Sequence, residues 1–222
     1  MSHSTPPLTS GEHPITIARL RRAPVVLATH NAGKVGELRE LLTTVGVATL
    51  GALELGLPEP EETEDSFTGN ALLKARAAAE RSGRVALADD SGVCVDALDG
   101  EPGVYTARWA GEPRDWQRAM ARVEHELAKR GAVLGAARGA SFACALAVAT
   151  PEGDTLALEG RVPGVLVWPA RGTLGAGFEP MFMPHGYSQT YGEMEPDVRA
   201  AINHRAAAFR LLCLALGCPV RD

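Results

Sequence analysis

With 222 residues, the chain is long enough to bury one sizeable hydrophobic core, and nothing in its length demands two full domains. A hydrophobic fraction of 45% and a charged fraction of 22% are ordinary for a soluble globular protein. The formal net charge of −5 argues against broad binding to nucleic acid or to an anionic membrane, so local positive groups must hold any phosphate ligand.

The cysteines indicate a reducing compartment. Cys94, Cys144, Cys213 and Cys218 lie in or near apolar runs, with no CxxC spacing and no histidine at ligand spacing. We interpret them as reduced thiols. No uninterrupted apolar run approaches membrane-spanning length, and the N-terminal stretch lacks the apolar core of a secretory signal. These features predict a cytoplasmic protein with no membrane partner.

The first 23 residues differ in composition from the rest of the chain. They are rich in Ser, Thr and Pro, and they contain a basic cluster at Arg19, Arg21 and Arg22. This composition predicts a disordered N-terminal extension over residues 1–23, because it offers little apolar surface to bury. Residues 24–218 are predicted to form a single domain.

The first predicted strand, Pro24–Ala28, runs into a small polar loop and then a helix. The loop consists of Thr29, His30, Asn31, Ala32, Gly33 and Lys34. A strand, a glycine-containing loop and a helix start aim backbone N–H groups at an anion, and Lys34 adds a point charge suited to phosphate. The spacing is not GxxxxGK[ST], so this is not a Walker A loop, and an ordinary strand-to-helix turn stays the alternative.

An acidic loop, Glu59–Asp65, precedes a predicted helix over Phe67–Arg81. The helix carries Asn70 and Lys74 about one turn apart. By default the acidic loop is solvated and Lys74 is a surface lysine. Glu62 gains a role only if a metal ion bound by a nearby carboxylate needs a second ligand.

The stretch that follows is the most informative in the chain. The apolar run Val85–Ala88 predicts a buried strand, and Asp89, Asp90, Ser91 and Gly92 after it predict a turn. Adjacent carboxylates at the end of a buried strand indicate a binding or catalytic role, because unpaired buried charge is costly. A Mg²⁺ ion beside substrate phosphates fits best. A solvated acidic turn is the alternative.

The later part of the chain mixes helices with a hairpin. A helix is predicted over Pro113–Arg130, followed by hairpin strands Ser141–Thr150 and Asp154–Val167. A short strand Met181–Met183 and a helix over Pro196–Leu216 complete the chain. Earlier in the chain, a further short strand is predicted near Val47–Leu50. The glycines between Arg171 and Pro180 are not followed by a helix, which excludes a dinucleotide-binding fingerprint. We predict an α/β fold with a long central mixed sheet flanked by helices, in two lobes with a substrate groove between them.

Several short motifs follow one another in order along the chain. They are T-x-N-x-G-K at Thr29–Lys34, E-T at Glu62–Thr63, F-x-x-N-A-x-x-K-A at Phe67–Ala75, the long block from Ala88 to Arg108, and Asn203-His204-Arg205 in place of S-H-R. In this order they resemble the inosine triphosphate pyrophosphatase family, the Ham1-like enzymes. The resemblance covers about Val25 to Leu216.

The resemblance implies a reaction and a cofactor. Water attacks between the α and β phosphates of a noncanonical purine nucleotide such as XTP, ITP or dITP, giving the monophosphate and pyrophosphate. It also implies Mg²⁺ on Glu62 and Asp90, with Asp90 or its neighbour Asp89 orienting or deprotonating the water. A homodimer is implied as well.

The resemblance assigns the remaining site residues to the two ends of the substrate. Lys34, Lys74 and the loop amides around Asn31 and Gly33 would hold the polyphosphate. Ser91 would contact the substrate, and His204 and Arg205 would contact the base.

Departures from the family pattern concentrate at the base end. The family's G-F-G-Y-D-P is Gly175-Ala176-Gly177-Phe178-Glu179-Pro180 here, so Ala176 replaces the stacking aromatic and Glu179 the base-reading Asp. Phe178 is expected to replace that ring. Arg199 stands where a lysine is expected. Two alternatives therefore stay open: a nucleotide-binding or sensing protein without turnover, and a pyrophosphatase with another base preference.

Overall fold

The computed structural model of the protein describes residues 8–11 and 13–218. The strands are β1 (Leu8–Ser10), β2 (Val25–Leu27), β3 (Thr49–Gly51), β4 (Ala86–Val95), β5 (Gly139–Ala149), β6 (Thr155–Leu166) and β7 (Phe182–Pro184). The α-helices are α1 (Ile17–Leu20), α2 (Ala32–Thr44), α3 (Phe67–Ser82), α4 (Thr106–Trp109), α5 (Trp116–Lys129), α6 (Pro196–Ile202) and α7 (His204–Ala215). These elements form an α/β fold, as predicted.

The strands form one mixed sheet flanked by helices. Its order is β1-β6-β5-β4-β2-β3, with β7 paired to β6. Strand β2 runs parallel to β3 and β4, whereas β1 and β7 run antiparallel to β6. The predicted hairpin is confirmed as β5 and β6, and across its turn the Thr150 N–H donates to the Asp154 carbonyl at 3.0 Å.

The predicted helices over Phe67–Arg81 and Pro113–Arg130 are confirmed within a few residues as α3 and α5. Their ends carry strong local signals. The Ser66 side chain accepts a hydrogen bond from the Gly69 N–H at the start of α3, and Gly83 ends that helix with a left-handed φ of 65°. Asp115 caps α5 in the same way, through the Arg118 N–H. Such caps are readable from sequence alone.

The chain divides into two compact units. The first contains the described residues up to Asp90, the segment Cys144–Gly160 and the described residues from Arg205, and the second contains Ser91–Ala143 and Arg161–His204. Each unit has its own apolar core: the first includes Leu27, Leu87, Leu146 and Leu212, and the second includes Leu127, Phe142, Phe178 and Phe182. The assignment of residues 24–218 to a single domain stays a prediction.

The N-terminal segment departs from the prediction. Strand β1 pairs with β6, and Ile15, Ile17 and Leu20 are buried in the core of the first unit. Disorder over residues 1–23 is therefore wrong for residues 8–11 and 13–23, because Ile17 and Leu20 share one helix face and bury together. Residues 1–7 and 12 lie outside the described residues.

The central acidic stretch also departs from the prediction. Asp89, Asp90, Ser91 and Gly92 form no turn, since β4 continues through them to Val95. Turn propensity gave the wrong result because the surrounding structure decides strand formation more than the residue types do. Successive strand residues point to opposite faces, so Asp89 and Asp90 have different surroundings.

The C-terminal helix is interrupted. The predicted helix over Pro196–Leu216 is observed as α6 and α7, separated at Asn203. Asn203 has φ −70° and ψ 170°, an extended conformation that breaks the helical hydrogen-bond ladder.

Candidate active site

The predicted phosphate loop has the predicted local structure but a different hydrogen-bond pattern. Asn31 is the N-cap of α2, and its side-chain oxygen accepts from the Gly33 N–H at 3.0 Å and the Lys34 N–H at 3.2 Å. The Thr29 hydroxyl accepts from the Asn31 N–H at 3.2 Å. The two amides expected to hold phosphate thus already have an acceptor, and the Lys34 ammonium, which pairs with Asp89, is the cationic side chain that the loop presents.

The other two loop residues lie beside this cap. His30 Nε2 is 2.9 Å from the Leu57 carbonyl oxygen, which fixes the ring. Ala32 is exposed in the first turn of α2.

Asp89 is fully buried and faces two cations. Its Oδ2 lies 3.0 Å from Lys34 Nζ and 3.1 Å from the Arg205 guanidinium, which also pairs with Glu37. Burial alone would raise the pKa of Asp89, but the charges of Lys34 and Arg205 hold that pKa well below its usual range. Asp89 is therefore a fixed anion that orients Lys34.

Asp90 faces helix α3. Its carboxylate accepts from Asn70 Nδ2 at 3.3 Å and from Lys74 Nζ at 3.4 Å, and Lys74 also donates to Glu62 at 2.7 Å. Burial raises the pKa of Asp90, and the Lys74 charge offsets this only in part. The Asp90 carboxylate is thus a better proton acceptor than Asp89.

Lys74 is not the surface lysine expected by default. Only 3% of the residue is exposed. Burial disfavours its charge, yet the carboxylates of Asp90, Asp89 and Glu62 raise the pKa of Lys74 overall. A buried lysine keeps its charge only beside such partners, and this environment is invisible in the sequence.

Together these side chains form a charge cluster in the first unit. Its members are the carboxylates of Glu37, Glu62, Asp89 and Asp90 and the cations Lys34, Lys74 and Arg205. Four carboxylates against three cations leave an excess negative charge. Glu37 was not identified from the sequence, because its only signal is a helix position one turn after Lys34.

The charge cluster suits a divalent cation. Glu62 and Asp90 share the Lys74 ammonium, and both supply the hard oxygen donors that Mg²⁺ prefers. No group of three or more His, Cys, Asp or Glu side chains able to hold a metal occurs among residues 8–11 and 13–218. Two carboxylates suffice for Mg²⁺ where water and substrate phosphates complete its shell.

The glycine loop, residues 171–180, lies in the second unit. Ala176 is exposed, and its N–H donates to the Glu179 carboxylate at 2.7 Å. Glu179 also lies 3.7 Å from Arg199 Nε. Gly177 has a φ of 65°, a conformation that favours glycine.

Phe178 does not replace the missing aromatic ring. It is 1% exposed and packs edge-on against Trp116, with ring centroids 5.9 Å apart. The expectation that this ring takes the stacking role is wrong for this structure, because the ring belongs to the core of the second unit.

The last predicted site residues lie near the break between α6 and α7 and on β4. The His204 ring stacks on Phe142, with centroids 4.9 Å apart. Ser91 is half-buried on β4. The sequence did not identify Phe142, because a ring on a buried strand looks like ordinary core.

The fold and the charge cluster define a class of protein. In open α/β sheets, ligands bind outside the carboxyl ends of parallel strands. The loop after β2 carries Lys34 at such an end, and β4 carries Asp89 and Asp90 beyond the residues that pair with β2. The arrangement is that of an α/β protein with a cluster of carboxylates and cations at the carboxyl ends of its parallel strands.

The pattern of the Ham1 family matches residues 25–214, and the chain belongs to that family. A dITP/XTP pyrophosphatase of Zymomonas mobilis is 51% identical over 89% of this chain and 93% of its own. A protein of the same name from Caulobacter vibrioides is 53% identical over 87% of this chain and 98% of its own.

A solved structure also matches. The HAM1 protein of Coxiella burnetii has a TM-score of 0.80 and 34% sequence identity, covering 87% of this chain and 98% of that one. The likeness extends to the fold as well as the sequence.

Proposed function

We propose that this protein hydrolyses noncanonical purine nucleoside triphosphates, among them dITP, XTP and ITP, to the monophosphate and pyrophosphate. The observation that carries the proposal is the charge cluster, in which adjacent carboxylates of β4 face separate cations. The names of the relatives from Zymomonas mobilis and Caulobacter vibrioides support the substrate class.

The lysines would hold and orient the polyphosphate. The Lys34 side chain is 23% exposed and points to Asp89, so its ammonium is held in place and still accessible to an anion. Phosphoryl chemistry depends mostly on positioning and on neutralising charge. We propose that Lys34 contacts the phosphates while Asp89 keeps its orientation.

Asp90 would act on the attacking water. Asp89 already pairs with Lys34 and Arg205, whereas among residues 8–11 and 13–218 Asp90 forms an ion pair with Lys74 alone. We therefore assign the water-orienting role to Asp90, with Asn70 holding its carboxylate through a 3.3 Å hydrogen bond.

Glu62 and Asp90 would hold Mg²⁺. When bound, the ion offsets phosphate charge and lowers the pKa of water. Lys74 lies between the two carboxylates, so its ammonium would set their separation and limit their repulsion.

Recognition of the base is assigned to Ser91 on β4, to the glycine loop and to His204 at the start of α7. We propose that Glu179, oriented by Arg199 and by the Ala176 N–H, reads polar groups of the base. His204 and Ser91 are proposed as further substrate contacts. A homodimer, a cytoplasmic location and the absence of nucleic-acid and membrane partners belong to the same proposal. No helix among residues 8–11 and 13–218 is long and apolar enough to cross a membrane.

Pyrophosphate release across a nucleotide panel tests the proposal. With Mg²⁺ present, we expect kcat/KM for ITP, XTP and dITP to exceed the values for ATP and GTP. Equal values for all five would contradict a role in removing noncanonical purines. Nucleotide binding without pyrophosphate release would favour the sensing alternative.

A further inference from the structure

A cavity in the first unit lies at the amino end of strand β2, away from the charge cluster. Its volume is about 850 Å³, and its lining includes Pro24 and Val85, which come directly before β2 and β4. Four residues of extended chain, roughly 13 Å, separate Val85 from Asp89. The cavity is therefore distinct from the candidate active site.

The cavity is lined by three arginines with different partners. Arg19 donates to Asp154 at 2.8 Å and pairs with Glu152, so carboxylates already offset its charge. Arg22 and Arg84 line the same cavity and form no side-chain ion pair with any residue in 8–11 or 13–218. Two guanidinium groups are thus available to a ligand.

Two features of the cavity oppose an anion: the carboxylates of Glu152 and Asp154 outnumber their partner Arg19, and a helix ends at the lining. Ser82 and Gly83 place the carboxyl end of α3 at the lining. The helix end carries about half a negative charge and Arg19 with its two carboxylates a net charge of −1, whereas Arg22 and Arg84 carry two full positive charges. The balance favours an anionic ligand, although the chain as a whole is acidic.

The size and lining of the cavity restrict the chemical class of ligand that it can bind. A volume of about 850 Å³ lies within the range of small-molecule sites and is far larger than a phosphate ion needs. Pro14, Pro24 and Val85 add apolar surface beside the arginines. We infer that this cavity binds a phosphate-bearing small molecule of nucleotide size, with Arg22 and Arg84 on its phosphate and a ring system against the apolar wall.

Residue-resolved NMR of the full chain tests this inference. Adenosine monophosphate is the probe, and the reporters are the backbone amides of Gly83, Arg84 and Val85. We expect saturable shifts with the probe, weaker binding of inorganic phosphate and none of adenosine. The combined substitution of Arg22→Gln and Arg84→Gln should weaken binding of the probe at least about tenfold, since charge-assisted hydrogen bonds to phosphate are lost.

A matched control removes the same charge elsewhere. Arg76→Gln with Arg114→Gln alters two exposed arginines outside the cavity and should leave probe affinity unchanged. The inference is overturned if the reporter shifts do not saturate, or if the Arg22/Arg84 double variant binds like wild type. Binding at the candidate active site would be read separately from the amides of Gly33 and Lys34, so the two proposals fail independently.

Discussion

The charge cluster and the glycine loop hold their carboxylates in different ways. In the cluster, Asp89 has no exposed surface and lies within 3.1 Å of two cations. In the loop, the Glu179 side chain is 17% exposed, and the nearest Arg199 nitrogen is 3.7 Å away. The Asp89 carboxylate is therefore buried in close contact with its cations, whereas the Glu179 carboxylate is partly solvated and lies farther from its cation.

The two departures expected from the family resemblance, Ala176 and Glu179, both lie in the looser region, the glycine loop. Removing one partner of a buried ion pair is strongly destabilising, which applies to the pairs Asp89–Arg205 and Asp90–Lys74, whose side chains are at most 8% exposed. A partly exposed ion pair contributes little to stability, so a change at Glu179 is expected to affect stability less than a change at Asp89. We therefore expect substitutions at the buried ion pairs to affect the fold more than substitutions in the glycine loop.

The largest effect is expected from Asp90→Asn, which keeps the shape of the side chain. Loss of a water-orienting carboxylate should lower kcat for ITP by about 10²–10⁴-fold. Pyrophosphate release measures it, and exposed Asp96→Asn on the same stretch of chain is the control. Activity retained in Asp90→Asn would remove this residue from the mechanism.

Arg205→Met tests how strongly the stability of the fold depends on the pairing of Asp89 with its two cations. The substitution leaves buried Asp89 with Lys34 alone, and we expect the free energy of unfolding to fall by about 3 kcal/mol. Urea denaturation would measure the loss. Arg210→Met, on the exposed side of the same helix, should change the value far less; similar losses in both variants would contradict the comparison.

Ala176→Phe tests whether the glycine loop tunes base binding. Restoring a ring at this exposed position should lower KM for ITP about fivefold, the equivalent of about 1 kcal/mol of stacking. Thr173→Phe adds the same ring elsewhere in the loop and should not change KM. An unchanged KM in Ala176→Phe would exclude this position from base contact.

The smallest effect concerns a carboxylate outside both regions. Hydrogen bonds from Arg19 and from the His13 N–H lower the pKa of Asp154 from its ordinary value of 3.8. Because the folded-state pKa is the lower one, Asp154 stabilises the fold above pH 3.8 and loses this contribution as the pH falls through the folded value. Unfolding measured between pH 5 and pH 2 should therefore show a weaker acid dependence in Asp154→Asn, and an unchanged dependence would contradict the assignment; exposed Asp65→Asn is the control.

Much of the fold and part of the site were predictable from local signals. The sequence predicted α3 and α5 within a few residues, and the short motifs pointed to Lys34, Lys74, Asp89 and Asp90, which the structure brings into the charge cluster. The N-terminal strand and helix were missed, because three buried apolar residues in a polar segment give little periodic signal. Phe178 was misassigned because burial of a single ring cannot be read from its neighbours in the chain.

The sequence by itself determined which residue types are present and in what order, and that order was sufficient to indicate the family. Tertiary structure decided how the charges are matched: Asp89 with Lys34 and Arg205, Asp90 with Lys74, and β4 extended where turn residues predicted an end. The physical reason is that burial makes an unmatched charge costly, and the matching partners come from helices far apart in sequence. Local propensity contains no information about such partners.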